Sequence, residues 1–350
     1  MKIAQVSSLM EAVPPALYGG TERIVAYLTD ELVDLGHDVT LFASGDSRTK
    51  AKLEAAWPSA LRLDARIQDY LAPHVVMLET LARRAREFDI IHLHIDYLAY
   101  PLLRRIDVPF VTTLHGHLDM PELRSIYKVF SDVPVVSISN SQRVPLPNAN
   151  YVRTIYHGLP ELLLAPFPGT EGYLAFIGRI SPEKGPDAAI RIAAAAGRKL
   201  KIAAKVDKAD QAYFQRDIAP LLTQPHVEFI GEIGESQKNA FLGNAAGLLF
   251  PIAWQEPFGL AMIEAMACGT PVIAMRRGSV SEIIEDGVSG FIVANETEAV
   301  AAVARLPELD RRKVRQAFVE RFTSRRMAKE YVQAYERLIW AQRPPQRAVA

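Results

Sequence analysis

The segment AAGLLFPIAWQEPFGLAMIEAMACGTPVIAM, Ala245–Met275, changes pattern along its length. AAGLLFPI is a near-continuous apolar run, the mark of a strand buried on both faces. GLAMIEAMACG reads as a helix, and PVIAM is a second short apolar run bounded by proline. Strand, loop, helix and strand in that order make one unit of a parallel α/β layer fold. Glu256 falls in the loop ahead of the helix, which is expected to start near Phe258. Glu264 follows about one and a half to two turns inside it.

The same alternation runs outward in both directions. KIAQVS is a strand, followed by a glycine-bearing loop and a helix from Thr21 to about Leu35. Ile24, Val25, Leu28, Leu32 and Leu35 recur there at helical spacing, with Thr21 as the expected N-cap and Gly36 as the expected C-cap. HDVTLFAS, FDIIHLHI, PFVTTLHG and VPVVSIS read as further strands. The proline-rich RVPLPNANYVRTIYHGLP closes this half, and PFPGTEG reads as a linker. The pattern then restarts with YLAFIGRI, the helix GPDAAIRIAAAAG, KLKIAAKV and HVEFIGEI, a helix through Phe241 and Leu242, and finally GFIV after the opening segment. The expectation is an α/β protein of two Rossmann-like, doubly wound domains with a cleft between them. They span 1–165 and 166–322, with a C-terminal helical segment at 323–350. From Arg311 to Gln342 the sequence is helical and arginine-rich. Its apolar stripe is Val314, Phe318, Phe322, Met327, Tyr331, Tyr335 and Leu338.

Bulk composition agrees. At 350 residues the chain exceeds what one hydrophobic core usually holds. A formal net charge of zero argues against a nucleic-acid partner. Cys268 is the single cysteine, so no intrachain disulfide forms and the composition suits a reducing cytoplasm. MKIAQVSSLM has no long apolar core of the signal-peptide type, and no apolar run reaches the roughly 20 residues of a membrane helix. Peripheral membrane contact stays open.

Four places carry chemistry. In YGGTERIV, Gly19 and Gly20 lie between a strand and a helix N-terminus, where backbone N–H groups and the helix dipole favour a phosphate. The spacing is not G-x-G-x-x-G, and a plain tight turn is the alternative. In FIGRISPEKGPDAAI, Arg179 and Lys184 project from the loop after a strand, the usual ligand position in such sheets. Together they could neutralise a pyrophosphate, unless they form only a solvated charged loop. Glu256 and Glu264 could accept hydrogen bonds from the paired hydroxyls of an extended ligand. Backbone N–H groups of Phe258, Gly259 and Leu260 would supply donors for an anion. Alternatively Glu256 merely favours a helix dipole and Glu264 is an exposed helix residue. In TTLHGHLD, His115 and Gly116 follow a strand. His115 could bond a substrate or stabilise developing charge, or serve as a structural histidine. His92, His94 and Asp96 alternate along one strand face and raise a metal site as an alternative, but no fourth ligand is evident. G-x-S-x-G, Walker A and H-E-x-x-H sequences are absent.

Taken together, these places resemble a retaining glycosyltransferase of GT-B fold, of the family 4 (group 1) type. The resemblance covers nearly the whole chain. It rests on the E-x7-E motif from Glu256 to Glu264 followed by AMACGTPVIA, on FIGRISPEKG, and on the order of the GG loop and LHG. The resemblance implies roles. Arg179 and Lys184 hold the diphosphate of a UDP- or GDP-sugar, Glu264 bonds the ribose, and Glu256 bonds the transferred hexose with help from the backbone of Phe258 to Leu260. Gly19 and Gly20 close over the phosphates or the reacting centre, and His115 contacts the sugar near its anomeric carbon. The base stacks near Gly231 to Ile233, and Lys205 contacts the nucleotide. It further implies same-face attack, no metal or other cofactor, and a sugar, lipid-linked or small-molecule acceptor. The chain departs from the family pattern at His157 in YHGLP and at Ser279 in RRGSVSE. Rival expectations are a nucleotide-sugar epimerase of the same fold and a non-catalytic nucleotide-sugar-binding protein. A phosphorylase would need pyridoxal phosphate, for which no convincing lysine motif is present.

Overall fold

The computed structural model describes residues 1–16, 19–166 and 172–342. Tyr18 of YGGTERIV and residues 167–171 of the expected linker lie outside the described residues. The chain forms two compact units. Unit 1 contains Met1–Ile138, Arg143–Tyr156 and the chain from Ser324 on, and unit 2 contains Ser139–Gln142 and His157–Thr323. The passage from one unit to the other at Tyr156–His157 lies upstream of the position 165 suggested by the proline-rich sequence.

Unit 1 is built on a seven-stranded sheet. Its strands are β1 (Lys2–Val6), β2 (Asp38–Ser44), β3 (Lys52–Trp57), β4 (Ile90–Leu93), β5 (Phe110–Thr113), β6 (Pro134–Ser137) and β7 (Asn150–Thr154). They run in the order β3-β2-β1-β4-β5-β6-β7, and every neighbouring pair is parallel. The central strands are buried on both faces, as their apolar runs require. The helix Gly20–Asp34 buries Ile24, Val25, Leu28 and Leu32. Its cap is Gly19 rather than Thr21, which lies within the first turn. It ends at Leu35, with Gly36 in the left-handed region at φ 86°.

Unit 2 repeats the plan with six strands. They are β8 (Leu174–Arg179), β9 (Leu200–Lys205), β10 (Val227–Gly231), β11 (Gly247–Phe250), β12 (Val272–Met275) and β13 (Gly290–Val293), in the order β10-β9-β8-β11-β12-β13, again all parallel. Leu174, Phe176, Ile202, Leu249, Ile273 and Phe291 from five of these strands meet in one core. Each such side chain contributes about 1.5–3 kcal/mol relative to its exposed state.

The C-terminal helical stretch is two helices, Arg311–Arg321 and Ser324–Gln342. The break is at Phe322, whose backbone leaves the helical region at φ −133°, ψ 27°. The Leu159 amide donates to the Phe322 carbonyl at 2.9 Å, and Thr323 bridges Leu159. The apolar stripe is therefore divided. Val314 and Phe318 are buried in unit 2, while Met327, Tyr331 and Tyr335 are buried in unit 1. Among the described residues, no helix is long and apolar enough to cross a membrane.

Candidate nucleotide-sugar site

The sheet of unit 2 reverses its order between β8 and β11, which are neighbours although β9 and β10 intervene in sequence. Connections leave this point in opposite directions and open a crevice at the carboxyl ends of the two strands, where ligands bind in doubly wound sheets. The loop after β8 carries Lys184 in the turn Pro182–Lys184, and the loop after β11 carries Glu256. The two loops are joined through the backbone. The Ala253 amide donates to the Glu183 carbonyl at 2.9 Å. Gly185 has φ 68°, and a Cβ there would stand 2.4 Å from the Pro251 carbonyl oxygen. Only glycine allows this approach.

Across the join, Lys184 Nζ lies 2.5 Å from Glu256 Oε2, with side-chain exposures of 19% and 10%. The Trp254 indole N–H donates to the same oxygen at 2.8 Å, and Lys184 Nζ stands 5.2 Å from the centre of the Trp254 ring. The Glu256 loop is held from behind by the turn that contains the family departure. The Ser279 amide donates to the Glu256 carbonyl at 2.9 Å, and the Ser279 hydroxyl donates to the Phe258 carbonyl at 2.7 Å. The Gly278 amide donates to the Gln255 side chain at 2.7 Å. Phe258 is buried edge-on against His157, with ring centres 4.9 Å apart. The two departures thus brace the Glu256 loop.

The helix following that loop is Leu260–Ala267, not a helix from Phe258. Gly259 is its cap in the left-handed region at φ 85°, with Met262 Cε and Phe250 Cζ crowding its Cβ position. Glu264 is in the helix and is buried. Its Oε1 lies 2.5 Å from Lys238 Nζ. Sequence reading missed Lys238, because only folding brings together residues on the separate helices Glu235–Gly243 and Leu260–Ala267. Gly231, at φ 75°, ends β10 after a shift of register, and Ile233 follows in the turn that opens the Lys238 helix. Gly231 and Ile233 thus precede, along the chain, the helix whose Lys238 pairs with Glu264. Glu256 and Glu264 each bind a lysine of their own rather than one another.

Arg179 ends β8 and sits among carboxylates. It pairs with Glu183 and lies 3.7 Å from Asp207 and 3.4 Å from Asp210. Lys205, at the end of β9, bonds Asp207 at 2.9 Å. Any anion binding Arg179 would compete with these side chains.

In unit 1 the order reverses between β1 and β4. After β1, the helix end at Gly19 and Gly20 does not present bare N–H groups alone. Glu22 Oε2 comes within 3.3 Å of a Cβ position on Gly19, and Pro15 within 2.8 Å. Glu22 and Glu11 are both buried, and burial first, then the charge of Glu11, raises the Glu22 pKa. Glu11 is in turn ion-paired with Arg62 at 3.1 Å. After β5, His115 Nε2 lies 2.8 Å from His94 Nδ1, and enclosure of the His115 ring lowers its pKa to about 3. Both ring nitrogens of His92 and of His94 are engaged within the protein, His92 with Tyr335 and Thr113, His94 with His115 and Gln5. These hydrogen bonds occupy the lone pairs a metal site on His92, His94 and Asp96 would use. No three such side chains cluster as metal ligands among the described residues.

Two halves of this kind, each a parallel sheet with its own reversal of order, define the GT-B class. Solved structures agree on the fold. Sucrose-phosphate synthase from Thermosynechococcus elongatus is 21% identical with a TM-score of 0.77, matching 97% of this chain and 99% of that one. Anabaena HepE, solved with UDP-glucose, is 19% identical with a TM-score of 0.71, matching 96% and 100%. Residues 165–325 match the family model of glycosyl transferases group 1, and residues 18–157 match that of glycosyltransferase family 4. The chain belongs to this glycosyltransferase family.

Among curated relatives, a phosphatidyl-myo-inositol mannosyltransferase of Mycolicibacterium smegmatis is 24% identical over 93% of this chain and 89% of its own length. A D-inositol 3-phosphate glycosyltransferase of Nocardia farcinica is 35% identical over 155 residues, 40% of this chain and 32% of its own. The match thus spans about a third of the length of that relative.

Proposed function

We propose that the protein is a retaining glycosyltransferase that moves a hexose from a nucleoside-diphosphate sugar to a hydroxyl of a sugar, lipid-linked or small-molecule acceptor. The observation that carries this reading is the Lys184–Glu256 pair at the β8/β11 reversal, a cation for phosphate beside an acceptor for sugar hydroxyls. HepE, whose solved forms hold UDP and UDP-glucose, supports a uridine donor by analogy. The names of the inositol-linked relatives favour a polyol acceptor.

The chemistry follows from charge. The bond between the anomeric carbon and the diphosphate breaks, and its electron pair goes to the leaving oxygen. Arg179 and Lys184 stabilise that growing charge more than they stabilise the intact donor, which is the requirement for acceleration. The acceptor oxygen bonds the anomeric carbon on the same face, and its proton passes to the departing diphosphate. Glu256 orients the hexose, Glu264 the ribose, Lys205 contacts the nucleotide, and Gly231 to Ile233 face the base. Cations of the chain take the place of a metal. A thermal-shift panel of nucleoside diphosphates and their sugars tests the reading. One donor raises the midpoint by mass action and then supports transfer to polyol acceptors. A panel without any stabilising nucleotide contradicts it.

A further inference from the structure

Glu264 is the single charged residue of the helix LAMIEAMA, and its neighbours Met262, Ile263, Ala265 and Met266 are buried with it. Lys238 reaches it from the first turn of the helix Glu235–Gly243. Nζ lies 2.5 Å from Glu264 Oε1, with side-chain exposures of 13% for the lysine and 7% for the glutamate. Stability does not account for this pair. Desolvation offsets much of the attraction between two charges taken out of water, and apolar side chains in their place are often as stable. A cation in the first turn also opposes the helix dipole.

The helix that presents Lys238 is fixed at both ends. At its start the Gly234 amide donates to Gln237 Oε1 at 3.0 Å, and the Ala165 amide donates to Asn239 Oδ1 at 2.7 Å. At its end three successive carbonyls each receive a side-chain donor. Phe241 receives the Tyr173 hydroxyl at 2.6 Å, Leu242 the Thr270 hydroxyl at 2.8 Å, and Gly243 the Arg311 guanidinium at 2.8 Å. A helix end otherwise leaves such carbonyls to water. The ammonium of Lys238 is thus offered from a rigid support.

An ammonium has three N–H donors, and a carboxylate only accepts. One donor and one oxygen are engaged with each other. Among the described residues, the other two donors of Lys238 and Glu264 Oε2 have no hydrogen-bond partner. A hydroxyl suits this arrangement because it both donates and accepts. We propose that Lys238 is a specificity-determining residue that, together with Glu264, recognises one ribose hydroxyl. The ammonium donates to the hydroxyl oxygen, and the hydroxyl donates to Glu264 Oε2. The pair thereby selects ribonucleotides over deoxyribonucleotides. Loss of the hydroxyl leaves two enclosed charges short of a partner, the situation in which a polar site rejects an analogue most strongly. The inference rests on the reading of Glu264 as the ribose contact of a nucleotide site.

The test is calorimetric titration of the full chain with UDP and with GDP, each against its monophosphate and against the two analogues that lack one ribose hydroxyl. The wild type is expected to bind one deoxy analogue about tenfold to a hundredfold more weakly than the parent, the range for a hydrogen bond to a charged group. Lys238→Met keeps the apolar stem and removes the charge. It is expected to reduce that ratio at least about threefold, since Glu264 alone keeps part of the contact. The ratio of diphosphate to monophosphate affinity stays as in the wild type. Lys184→Ala is expected to do the reverse, lowering the diphosphate-to-monophosphate ratio and sparing the ribose-to-deoxyribose ratio. Should Lys238→Met fail to fold, Lys238→Met with Glu264→Gln removes both charges together and carries the same comparison. A lysine with a structural role alone lowers all affinities in proportion and leaves both ratios unaltered, which overturns the proposal. Equal binding of parent and deoxy analogues by the wild type overturns it as well. Failure of UDP and GDP to bind the wild type at all defeats the nucleotide-site reading and the proposal with it.

Discussion

Lys184 Nζ and Glu256 Oε2 are 2.5 Å apart. The cation proposed for the diphosphate and the carboxylate proposed for the hexose are thus each other's partner until a donor arrives. On the proposed reading, binding of a diphosphate would exchange one anion for another at Lys184 and release Glu256 to accept hydroxyls. The ion pair and the Trp254 ring hold the Lys184 ammonium at the crevice, and its carboxylate partner is the group an incoming phosphate would have to displace.

Glu256→Ala separates these two duties. With its competitor gone, Lys184 is expected to bind a nucleoside diphosphate as tightly as in the wild type or several-fold more tightly. Transfer falls by about 10²-fold, the scale for loss of an orienting transition-state contact. Calorimetry with the diphosphate and a rate assay with its sugar read the two effects. A parallel loss of both contradicts the exchange.

Arg179 gives a second test of competition. Asp210 lies 3.4 Å from it and Asp207 lies 3.7 Å away. Asp210→Asn removes one competing charge, and diphosphate affinity is expected to rise a few-fold, more at low salt than at high salt because the pair is partly exposed. An affinity that falls would mean Asp210 holds Arg179 in its binding posture.

Gly185→Ala strikes the backbone rather than the charges. The new Cβ meets the Pro251 carbonyl at 2.4 Å, and φ 68° disfavours it further. A loss of roughly 1–3 kcal/mol is expected for such a conformation, visible as a lower thermal midpoint. Transfer should fall as well, because the Lys184 loop must move off the Pro251 loop.

The fold was largely legible in the sequence because strands buried on both faces write themselves as apolar runs. β1, β2, β4, β5 and β6, and β8, β9, β11, β12 and β13 of unit 2, coincide with such runs, while the half-exposed β10 was read from its alternating Val227, Phe229 and Gly231 within HVEFIGEI. The edge strands β3 and β7 escaped. Their residues are half-exposed, and NYVRT lies within a stretch whose prolines read as loop. The helix Leu71–Arg84 escaped because Leu71, Val75 and Val76 face outward and blur its period. At the site, Arg179, Lys184 and Glu256 were visible as charges at strand ends. Lys238, the Asp207 and Asp210 carboxylates around Arg179, and the tyrosines behind His92 were not, because tertiary contact alone assigns their partners.

Acid should weaken the folded state through the histidine cluster. His115 is lowered to about 3 and His92 lies well below 6.5, while the unfolded chain protonates both near 6.5. The folded state binds fewer protons in between, so this contribution is complete above about pH 6.5 and is lost as pH falls through the window toward the folded values. Each unit of separation amounts to about 1.4 kcal/mol. Thermal midpoints should therefore drop between pH 7 and pH 5, and His115→Asn should drop less than the wild type over the same range.

Chelation is expected to leave transfer unchanged, since Arg179 and Lys184 carry the positive charge that a divalent ion supplies elsewhere. Strict loss of activity with EDTA, restored by one metal, would reassign that charge.

The most direct measurement is a calorimetric titration of the stabilising nucleoside diphosphate into the wild type and into Lys184→Ala. Saturable binding to the wild type, weakened roughly tenfold to a hundredfold by loss of one charge-assisted contact, is the predicted result. Equal affinity in the two proteins would place the diphosphate away from the β8/β11 crevice and contradict the account.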